Sequence, residues 1–128
     1  MNVIIAGSRD FHDYNMLLYA VDKSGFEITE VTSGGAGGVD ALGERYAKEN
    51  NLKLNRFPAD WKQHGRAAGP IRNREMAKSA DALIALWDGK SKGTKNMIDE
   101  ANKQKLRLYV LHYNTTERLN EKPIRCLR

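Results

Sequence analysis

Short apolar segments alternate with amphipathic segments of helical period along most of this 128-residue chain, and no other feature of the sequence constrains the fold as strongly. The apolar segments are typical of strands buried on both faces, and they lie at residues 3–6, 28–32, 52–57, 82–87 and 106–111. The helical segments lie between them, at residues 11–23, 39–50, 71–79 and 95–105. Because strict alternation requires parallel strands with right-handed crossovers, we predict a three-layer α/β fold with helices on both faces of the sheet.

The chain is expected to form one domain and a short extension. Residues 1–113 contain the predicted strands, and residues 114–128 form a C-terminal extension without clear periodicity. The N-terminal residues lead into the first strand without the features of a secretion signal, and no apolar stretch approaches the roughly 18 to 20 residues of a membrane span. We therefore expect a cytoplasmic protein without a membrane partner.

A metal site is not expected. Cys126 is the single cysteine, which excludes an internal disulfide and a site with several thiolate ligands. His12, His64 and His112 are far apart in the sequence and lack the spacing of metal ligands. No motif requires a cofactor.

The glycines indicate where a ligand would bind. Seven of the eleven follow the first, second and fourth predicted strands: Gly7, Gly34, Gly35, Gly37, Gly38, Gly89 and Gly93. Ligands of open parallel sheets bind at the carboxyl ends of the strands, near the point where the strand order reverses. In a sheet ordered 3-2-1-4-5 the loops after these three strands are neighbours, so we expect them to line one crevice.

Two of these loops have the composition of an anion site. Gly7 is followed by Ser8 and Arg9, which offer a hydroxyl and a guanidinium, although an ordinary turn with an exposed arginine explains them equally well. Residues 33–40 contain four glycines in five positions before a helix, where bare amides can seat an anion. This is not the dinucleotide fingerprint, since Asp40 stands where the third glycine belongs. Asp40 either stabilises the helix N-terminus or accepts hydrogen bonds from ribose hydroxyls.

The connection of residues 58–70 is unusually long for a link between a strand and a helix. It contains two prolines and two glycines, and we expect it to form a functional flap over the edge of the sheet. The helix after it begins with Arg72, Asn73 and Arg74, which are candidate ligand-binding residues. Arg72 and Arg74 lie about 200° apart on a helix, so one is expected to face the ligand and the other to pair with an acid or face solvent.

The loop of residues 87–96 is rich in glycine and lysine. Its Gly-Lys-Ser triplet imitates the end of a P-loop, but the glycine required five residues before the lysine would fall at Ala85, inside the strand. A nucleoside triphosphatase is therefore disfavoured, and a helix N-terminus suited to an anion remains. The loop residues assigned to ligand binding are Trp87, Ser91, Lys92, Gly93 and Thr94. Thr94 serves as helix cap or ligand, and Trp87 either packs in the core or flanks a base.

Five motifs, taken in order, resemble those of a known group. They are A-G-S-R-D (6–10), S-G-G-A-G-G-V-D (33–40), F-P-A-D-W (57–61), G-P-I-R-N-R-E-M (69–76) and W-D-G-K-S-K-G-T-K-N-M-I (87–98). Together they resemble the YspA-related branch of the SLOG superfamily, which unites the LOG cytokinin-activating phosphoribohydrolases, the bacterial proteins once called lysine decarboxylases and the DNA-processing protein DprA. The resemblance covers about residues 2–113. It implies a Rossmann-like sheet of about five strands and a pocket for a nucleotide or nucleotide-derived ligand.

Resemblance to the LOG enzymes also implies cleavage of the N-glycosidic bond of a nucleotide. Gly93 and Thr94 match the G-T of their P-G-G-x-G-T-x-x-E motif, and Arg74 matches the arginine of their M-x-x-R-K motif. Met97 occupies the position of the catalytic glutamate, and a thioether cannot transfer a proton. Cleavage would therefore need a different carboxylate, for which the candidates are Asp40, Asp88 and Glu75.

The net charge of +5 indicates either an anionic partner or merely solubility. Between residues 62 and 95 there are eight basic and three acidic residues, which favours a phosphate pocket with a charged rim. The alternative is single-stranded nucleic-acid binding, since residues 33–40 resemble the S-G-x-A-R-G-I-D loop of DprA, with Gly37 in place of its arginine. Nucleic acid is the less favoured partner, and homo-oligomerisation stays open.

Overall fold

Five parallel strands form the sheet of the computed structural model, which describes residues 1–113 and the backbone of residues 125–127. The strands are β1 (Asn2–Gly7), β2 (Glu30–Ser33), β3 (Lys53–Arg56), β4 (Ala82–Trp87) and β5 (Arg107–His112). A sixth strand, β6 (Arg125–Leu127), lies antiparallel to β5, and the order is β3-β2-β1-β4-β5-β6. The α/β class and the order 3-2-1-4-5 of the parallel strands are confirmed.

Helices cover both faces of the sheet. They are α1 (Tyr14–Ser24), α2 (Val39–Glu49), α3 (Trp61–His64), α4 (Ala68–Ser79) and α5 (Lys92–Lys103), and a 3₁₀ turn at Gly65–Ala67 joins α3 to α4. Residues of α1 and α2 pack on one face, and residues of α4 and α5 pack on the other. The result is a Rossmann-like arrangement of three layers.

The central strands β1 and β4 are buried on both faces. In β1, Val3 and Ile5 belong to the core under α1 and α2, whereas Ile4 belongs to the core under α4 and α5. Successive side chains of a strand point to opposite faces, which is why a continuous apolar run fits here. In β4, Ile84 and Leu83 divide between the two cores in the same way. The loops that follow β1 and β4 therefore start from the best-packed part of the molecule.

The predicted flap of residues 58–70 is largely helical, and this is the main difference from the sequence-based expectation. Helix α3 and the 3₁₀ turn occupy most of it, and α4 begins at Ala68 rather than at residue 71. Asp60 explains the start of α3, because its carboxylate accepts a hydrogen bond from the backbone N–H of Gln63, 3.1 Å away, and so caps this helix. Helix α5 likewise begins at Lys92 instead of residue 95, since Ser91 is its N-cap.

Within the described residues, no helix is long and apolar enough to cross a bilayer. The predicted C-terminal extension, residues 114–128, lies outside the described residues, apart from the three residues of β6. Their backbone extends the sheet beyond β5, an addition that the sequence did not predict.

Candidate functional site

A cavity of about 680 Å³ opens at the carboxyl ends of β1 and β4, the two strands between which the strand order reverses. Its lining comes from the end of β1, from the loops after β1, β2 and β4, from α3 and α4, and from the first turns of α2 and α5. The volume lies within the range of roughly 300 to 1,000 Å³ that is typical of small-molecule sites. A cavity therefore lies where the strand-end loops were expected to meet.

The structure brings together ten of the seventeen residues assigned to the site from the sequence. Those that line the cavity are Gly7, Ser8, Arg9, Asp40, Arg72, Asn73, Ser91, Lys92, Gly93 and Thr94. Those that do not line it are Gly34, Gly35, Gly37, Gly38, Arg74, Trp87 and Asp88. In the second group, Gly35 and Gly37 have a left-handed backbone, with φ of +70° and +92°, and the other members have contacts within the protein.

The loop after β1 lies at one wall of the cavity. A Cβ atom on Gly7 would lie 2.4 Å from the carbonyl oxygen of Leu86 and 2.6 Å from a methyl carbon of Val39, so only glycine lets the strand end pass between β4 and α2. The Ser8 hydroxyl donates a hydrogen bond to the carboxylate of Asp10. Arg9 is exposed at the cavity surface.

The glycines of the loop after β2 are required by packing within the protein and by the conformation of the backbone. A Cβ atom on Gly34 would lie 2.4 Å from Nη1 of Arg72, and one on Gly38 would lie 2.1 Å from the carbonyl oxygen of Ser8. Gly35 has a φ of +70°, a left-handed conformation that side chains other than glycine rarely adopt. These contacts account for the bare backbone without an anion, and among the residues of this loop only Ala36 lines the cavity before α2 begins.

Asp40 places a buried carboxylate in the cavity wall. One carboxylate oxygen accepts a hydrogen bond from the backbone N–H of Ala36 at 3.0 Å. Burial raises the pKa of Asp40 to about 6, against the opposing effects of the Ala36 hydrogen bond and of the positive charges of Arg72 and Arg9, while the charge of Glu44 raises it further. The group is therefore a carboxyl that titrates close to neutral pH.

Arg72 joins three parts of the structure around the cavity. Its Nη1 donates to the carbonyl oxygen of Gly34 at 2.6 Å and to that of Phe57 at 3.4 Å, which connects α4 to the ends of β2 and β3. Its Nε donates to the side-chain oxygen of Asn73, whose amide in turn donates to the side-chain oxygen of Asn96 at 2.9 Å. Partial burial lowers the pKa of the Arg72 guanidinium. Arg72 thus has a structural role besides its place in the wall.

Arg74 lies outside the cavity lining. It pairs with the carboxylate of Glu100 on α5 at 3.8 Å, and about half of its side chain is exposed. Glu75, one of the carboxylates considered for catalysis, is also exposed and outside the lining. The helical spacing of α4 explains this arrangement, because Arg72 and Arg74 point in nearly opposite directions.

The loop after β4 is shaped by Asp88 and Trp87. Asp88 accepts hydrogen bonds from the backbone N–H groups of Lys90 and Ser91, both at 2.8 Å, and this turn leaves its carboxylate outside the cavity lining. The indole N–H of Trp87 donates to the carbonyl oxygen of Ser91 at 3.1 Å. Both side chains therefore hold the loop that presents the N-terminus of α5.

The N-terminus of α5 faces the cavity with Ser91, Lys92, Gly93 and Thr94. The Ser91 hydroxyl oxygen accepts hydrogen bonds from the backbone N–H and the hydroxyl of Thr94, at 3.3 and 3.1 Å. Thr94 is therefore a residue of the first turn, and Ser91 is the cap. Amides in the first turn of a helix have no acceptor within the helix, and the helix dipole favours negative charge there.

Sequence reasoning missed the apolar part of the lining. Met76 and Met97, both buried, come from α4 and α5. Trp61, the first residue of α3, is half exposed and lines the cavity as well. The remaining lining residues not assigned from the sequence are Ala6, Asp10, Ala36, Gly69, Pro70 and Asn96. The one available signal for Trp61 was Asp60 before an aromatic residue, which marks a helix start within the supposed flap.

The ionisable groups of the lining are mixed. Arg9, Arg72 and Lys92 contribute positive charge, and Asp10 and Asp40 contribute carboxylates. In the part of the chain that the structure describes, no three His, Cys, Asp or Glu residues are grouped so that they could hold a metal ion. The lining residues therefore offer charge, hydrogen bonding and apolar contact, together with the titratable carboxyl of Asp40.

Comparison with known proteins gives two similarities. Residues 1–64 match the family model described as YAcAr, the YspA, cpYpsA-related SLOG family. The "Gene 61 protein" of Mycobacterium phage D29 is 34% identical over 111 residues, which covers 79% of this chain and 88% of the phage protein. No solved structure matches the chain significantly.

Proposed function

The chain belongs to the YspA, cpYpsA-related SLOG family, and on this basis we propose that it binds a nucleotide or nucleotide-derived small molecule in the cavity between β1 and β4. The observation that carries the proposal is the cavity itself. It is large enough for such a ligand, it lies at the point where the strand order reverses, and the N-terminus of α5 forms part of its wall.

The phosphate of the ligand is assigned to the loops after β1 and β4. Arg9 and Lys92 are exposed cations in the lining, and they would neutralise phosphate oxygens. Gly93 has no atom within 4 Å of the position of an added Cβ, so open space lies directly beside the first turn of α5. A phosphate in that space would meet backbone N–H groups and the favourable end of the helix dipole.

Asp40 is assigned to the sugar. Its pKa of about 6 leaves it mostly ionised at pH 7, and an ionised carboxylate can accept hydrogen bonds from two adjacent hydroxyls. One of its oxygens is already bound to the N–H of Ala36, which fixes the orientation of the group in the wall.

Calorimetric titration of the protein with AMP, ADP-ribose, NAD and cyclic nucleotides tests the proposal. We expect at least one member to bind, and Lys92→Ala to weaken its binding about tenfold, as expected for a charge-assisted phosphate contact. Lys90→Ala is the matched control, because Lys90 is also exposed, stands two residues away and does not line the cavity. Equal losses in the two variants would mean that only the general positive charge matters.

The same panel separates nucleotide binding from nucleic-acid binding. A single-stranded oligonucleotide bound through several phosphates would lose affinity steeply as salt rises, because each phosphate contact releases counterions. A mononucleotide bound in the cavity has few phosphates and would show a shallow salt dependence. Oligonucleotide binding in the absence of any mononucleotide binding would contradict the proposed function.

A second candidate function, cleavage of the N-glycosidic bond of the nucleotide, is favoured by Asp40 alone. A buried carboxyl with a pKa raised to about 6, in the wall of a cavity, has the properties of a general acid or base. Met97, which lines the cavity where the LOG enzymes have glutamate, can transfer no proton. Release of free base from AMP, measured by chromatography, should then be abolished by Asp40→Asn and retained in Glu75→Gln, whose side chain is exposed outside the lining.

A further inference from the structure

Trp61 is an exposed aromatic residue at a cavity. The large exposed apolar side chains among the described residues are Leu18, Tyr19 and Trp61, and of these Trp61 alone lines the cavity. Its side chain is 51% exposed, although an indole gains more free energy from burial than almost any other side chain. Single exposed apolar residues are common, but an aromatic face in the wall of a binding cavity offers a contact to whatever enters it.

The contacts around Trp61 fix the position of its ring but leave the ring exposed. Asp60 caps α3 through the backbone N–H of Gln63 and accepts the N–H of His64 at its own carbonyl, at 3.1 and 3.0 Å, so the short helix is held at its first turn. An added Cβ on Gly69, in the first turn of α4, would lie 3.6 Å from Cη2 of the ring. Because Gly69 has no side chain, the backbone of α4 passes close to the indole.

The second tryptophan of the chain has a different environment. Trp87 is only partly exposed, its indole N–H is bound to the carbonyl oxygen of Ser91, and its ring meets that of His112 edge to face at 5.9 Å. It does not line the cavity. The alternative of a tryptophan that flanks a base therefore applies to Trp61, and Trp87 serves the packing of the loop after β4.

The positively charged residues of the cavity and its aromatic residue belong to different elements of the fold. Arg9 belongs to the loop after β1 and Lys92 to the first turn of α5, whereas Trp61 belongs to the connection between β3 and α4. A ligand that touches both sets must carry a negative group and a planar apolar group on one molecule. A nucleotide has both, since its base presents a π face and its phosphate is charged.

We propose that Trp61 stacks on the base of the ligand, so that the site distinguishes nucleotides from sugar phosphates that lack a base. This inference rests on the proposed function, because it assigns one part of the same ligand. Stacking on an aromatic side chain tolerates different bases, since every base has a π face. Trp61 then sets the class of ligand, and other contacts select the base.

Paired titrations with and without the base test this role. AMP, ADP-ribose and ribose 5-phosphate are titrated into the wild type, Trp61→Ala, Trp61→Phe and Tyr19→Ala, the last a control that removes an exposed aromatic ring outside the cavity. We expect Trp61→Ala to weaken AMP and ADP-ribose at least tenfold and to leave ribose 5-phosphate unchanged. Trp61→Phe should retain most of the affinity, and Tyr19→Ala should match the wild type.

Fluorescence gives an independent readout of the same contact. The chain has two tryptophans, so Trp87→Phe leaves Trp61 as the sole indole emitter. AMP should quench its emission and ribose 5-phosphate should not. If AMP binds with equal affinity to the wild type and Trp61→Ala, the stacking role is overturned while the proposed function stands. If neither these compounds nor NAD and the cyclic nucleotides bind to the wild type, the proposed function itself fails.

Discussion

The loops before α2 and α5 look alike in the sequence but are used differently in the fold. Both follow a buried strand, both are rich in glycine, and both lead into a helix, so each is a reasonable phosphate loop. In the structure, the loop before α5 contributes Ser91 to the cavity, and Lys92 follows as the first residue of the helix. The loop before α2 contributes Ala36, while its glycines allow other parts of the protein to approach its backbone.

The difference shows that glycines in a loop do not tell whether a ligand or another part of the protein lies against the loop's backbone. Gly38 is needed because the backbone of Ser8 and Arg9 occupies the space where a side chain would stand. Gly93 has open space at the same position, and it lies in the lining of the cavity. Glycine permits a close approach in both cases, but only the three-dimensional neighbours show whether a ligand or the protein itself makes it.

The largest expected effect is that of Gly38→Ala on stability. The added Cβ would lie 2.1 Å from the carbonyl oxygen of Ser8, and the φ of +55° is strained for alanine, so we expect a loss of at least about 3 kcal/mol in the free energy of unfolding. Gly37→Ala is the control, since Gly37 has a φ of +92° but open space around it, and it should cost about 1 to 2 kcal/mol. Urea unfolding of both variants checks this, and equal losses would remove packing as the reason for Gly38.

The second effect concerns Asp40, which follows the β2 loop and reaches the cavity. Its folded-state pKa of about 6 exceeds the ordinary value of 3.8, so the folded protein binds more protons than the unfolded chain between these values. Asp40 therefore makes the wild type less stable as pH rises from about 4 to 6, by a total of about 3 kcal/mol.

Asp40→Asn should remove this dependence. The difference in the free energy of unfolding between the variant and the wild type should shift in favour of the variant as pH rises from 4 to 7, because the other titratable groups are common to both proteins. The charges that act on Asp40, those of Arg72, Arg9 and Glu44, stay in place in the variant. Urea unfolding at four pH values measures the difference, and parallel curves would mean that the pKa of Asp40 is not raised.

A smaller effect is expected from Ser91→Ala at the start of α5. The variant loses the hydroxyl that accepts the backbone N–H of Thr94, and such a cap contributes about 1 kcal/mol. Helix α2 has no equivalent cap to lose, since its N-cap is Gly38. Thermal unfolding should show a modest decrease in Tm for Ser91→Ala, and an unchanged Tm would show that the cap contributes nothing measurable.

The smallest effect on stability is expected from Gly93→Ala. The position is helical and unobstructed, so alanine should leave the free energy of unfolding unchanged or raise it by up to about 1 kcal/mol. The same methyl group would enter the cavity and should reduce the affinity for AMP several-fold. If Gly93→Ala lowered the free energy of unfolding and left the affinity for AMP unaltered, Gly93 would be needed for packing, as we expect for Gly38, and not for the ligand.

The fold was predictable because its signals are local. The apolar runs of β1 and β4 and the helical period between them indicate a parallel sheet, and β4 was predicted with the bounds Ala82–Trp87 that the structure has. Boundaries were less accurate where a capping side chain decides them, as Asp60 does for α3 and Ser91 for α5. Strand β6 was not predicted, because it lies in a segment without a clear hydrophobic period.

The candidate site was only partly predictable, because contacts with residues far away in the sequence decide whether a loop side chain points into the cavity or away from it. Trp87 and Asp88 were reasonable choices beside Ser91, but their hydrogen bonds turn back into the loop itself. Trp61 was not chosen, because Asp60 signals a helix start but nothing local shows that this helix lies beside the cavity. Arg74 matched a family motif and yet pairs with Glu100 at 3.8 Å.

The sequence by itself determined the alternation of strands and helices, and with it the sheet and the edge at which the cavity opens, because hydrophobic period and glycine position act over a few residues. Tertiary structure decided which strand-end residues meet in the cavity and which support it. Gly34 and Arg72 are 38 positions apart, and the hydrogen bond at 2.6 Å that gives both a structural role exists only after β2 and α4 have packed together. Such long-range contacts leave no local pattern, since they depend on the packing of the whole sheet and its helices.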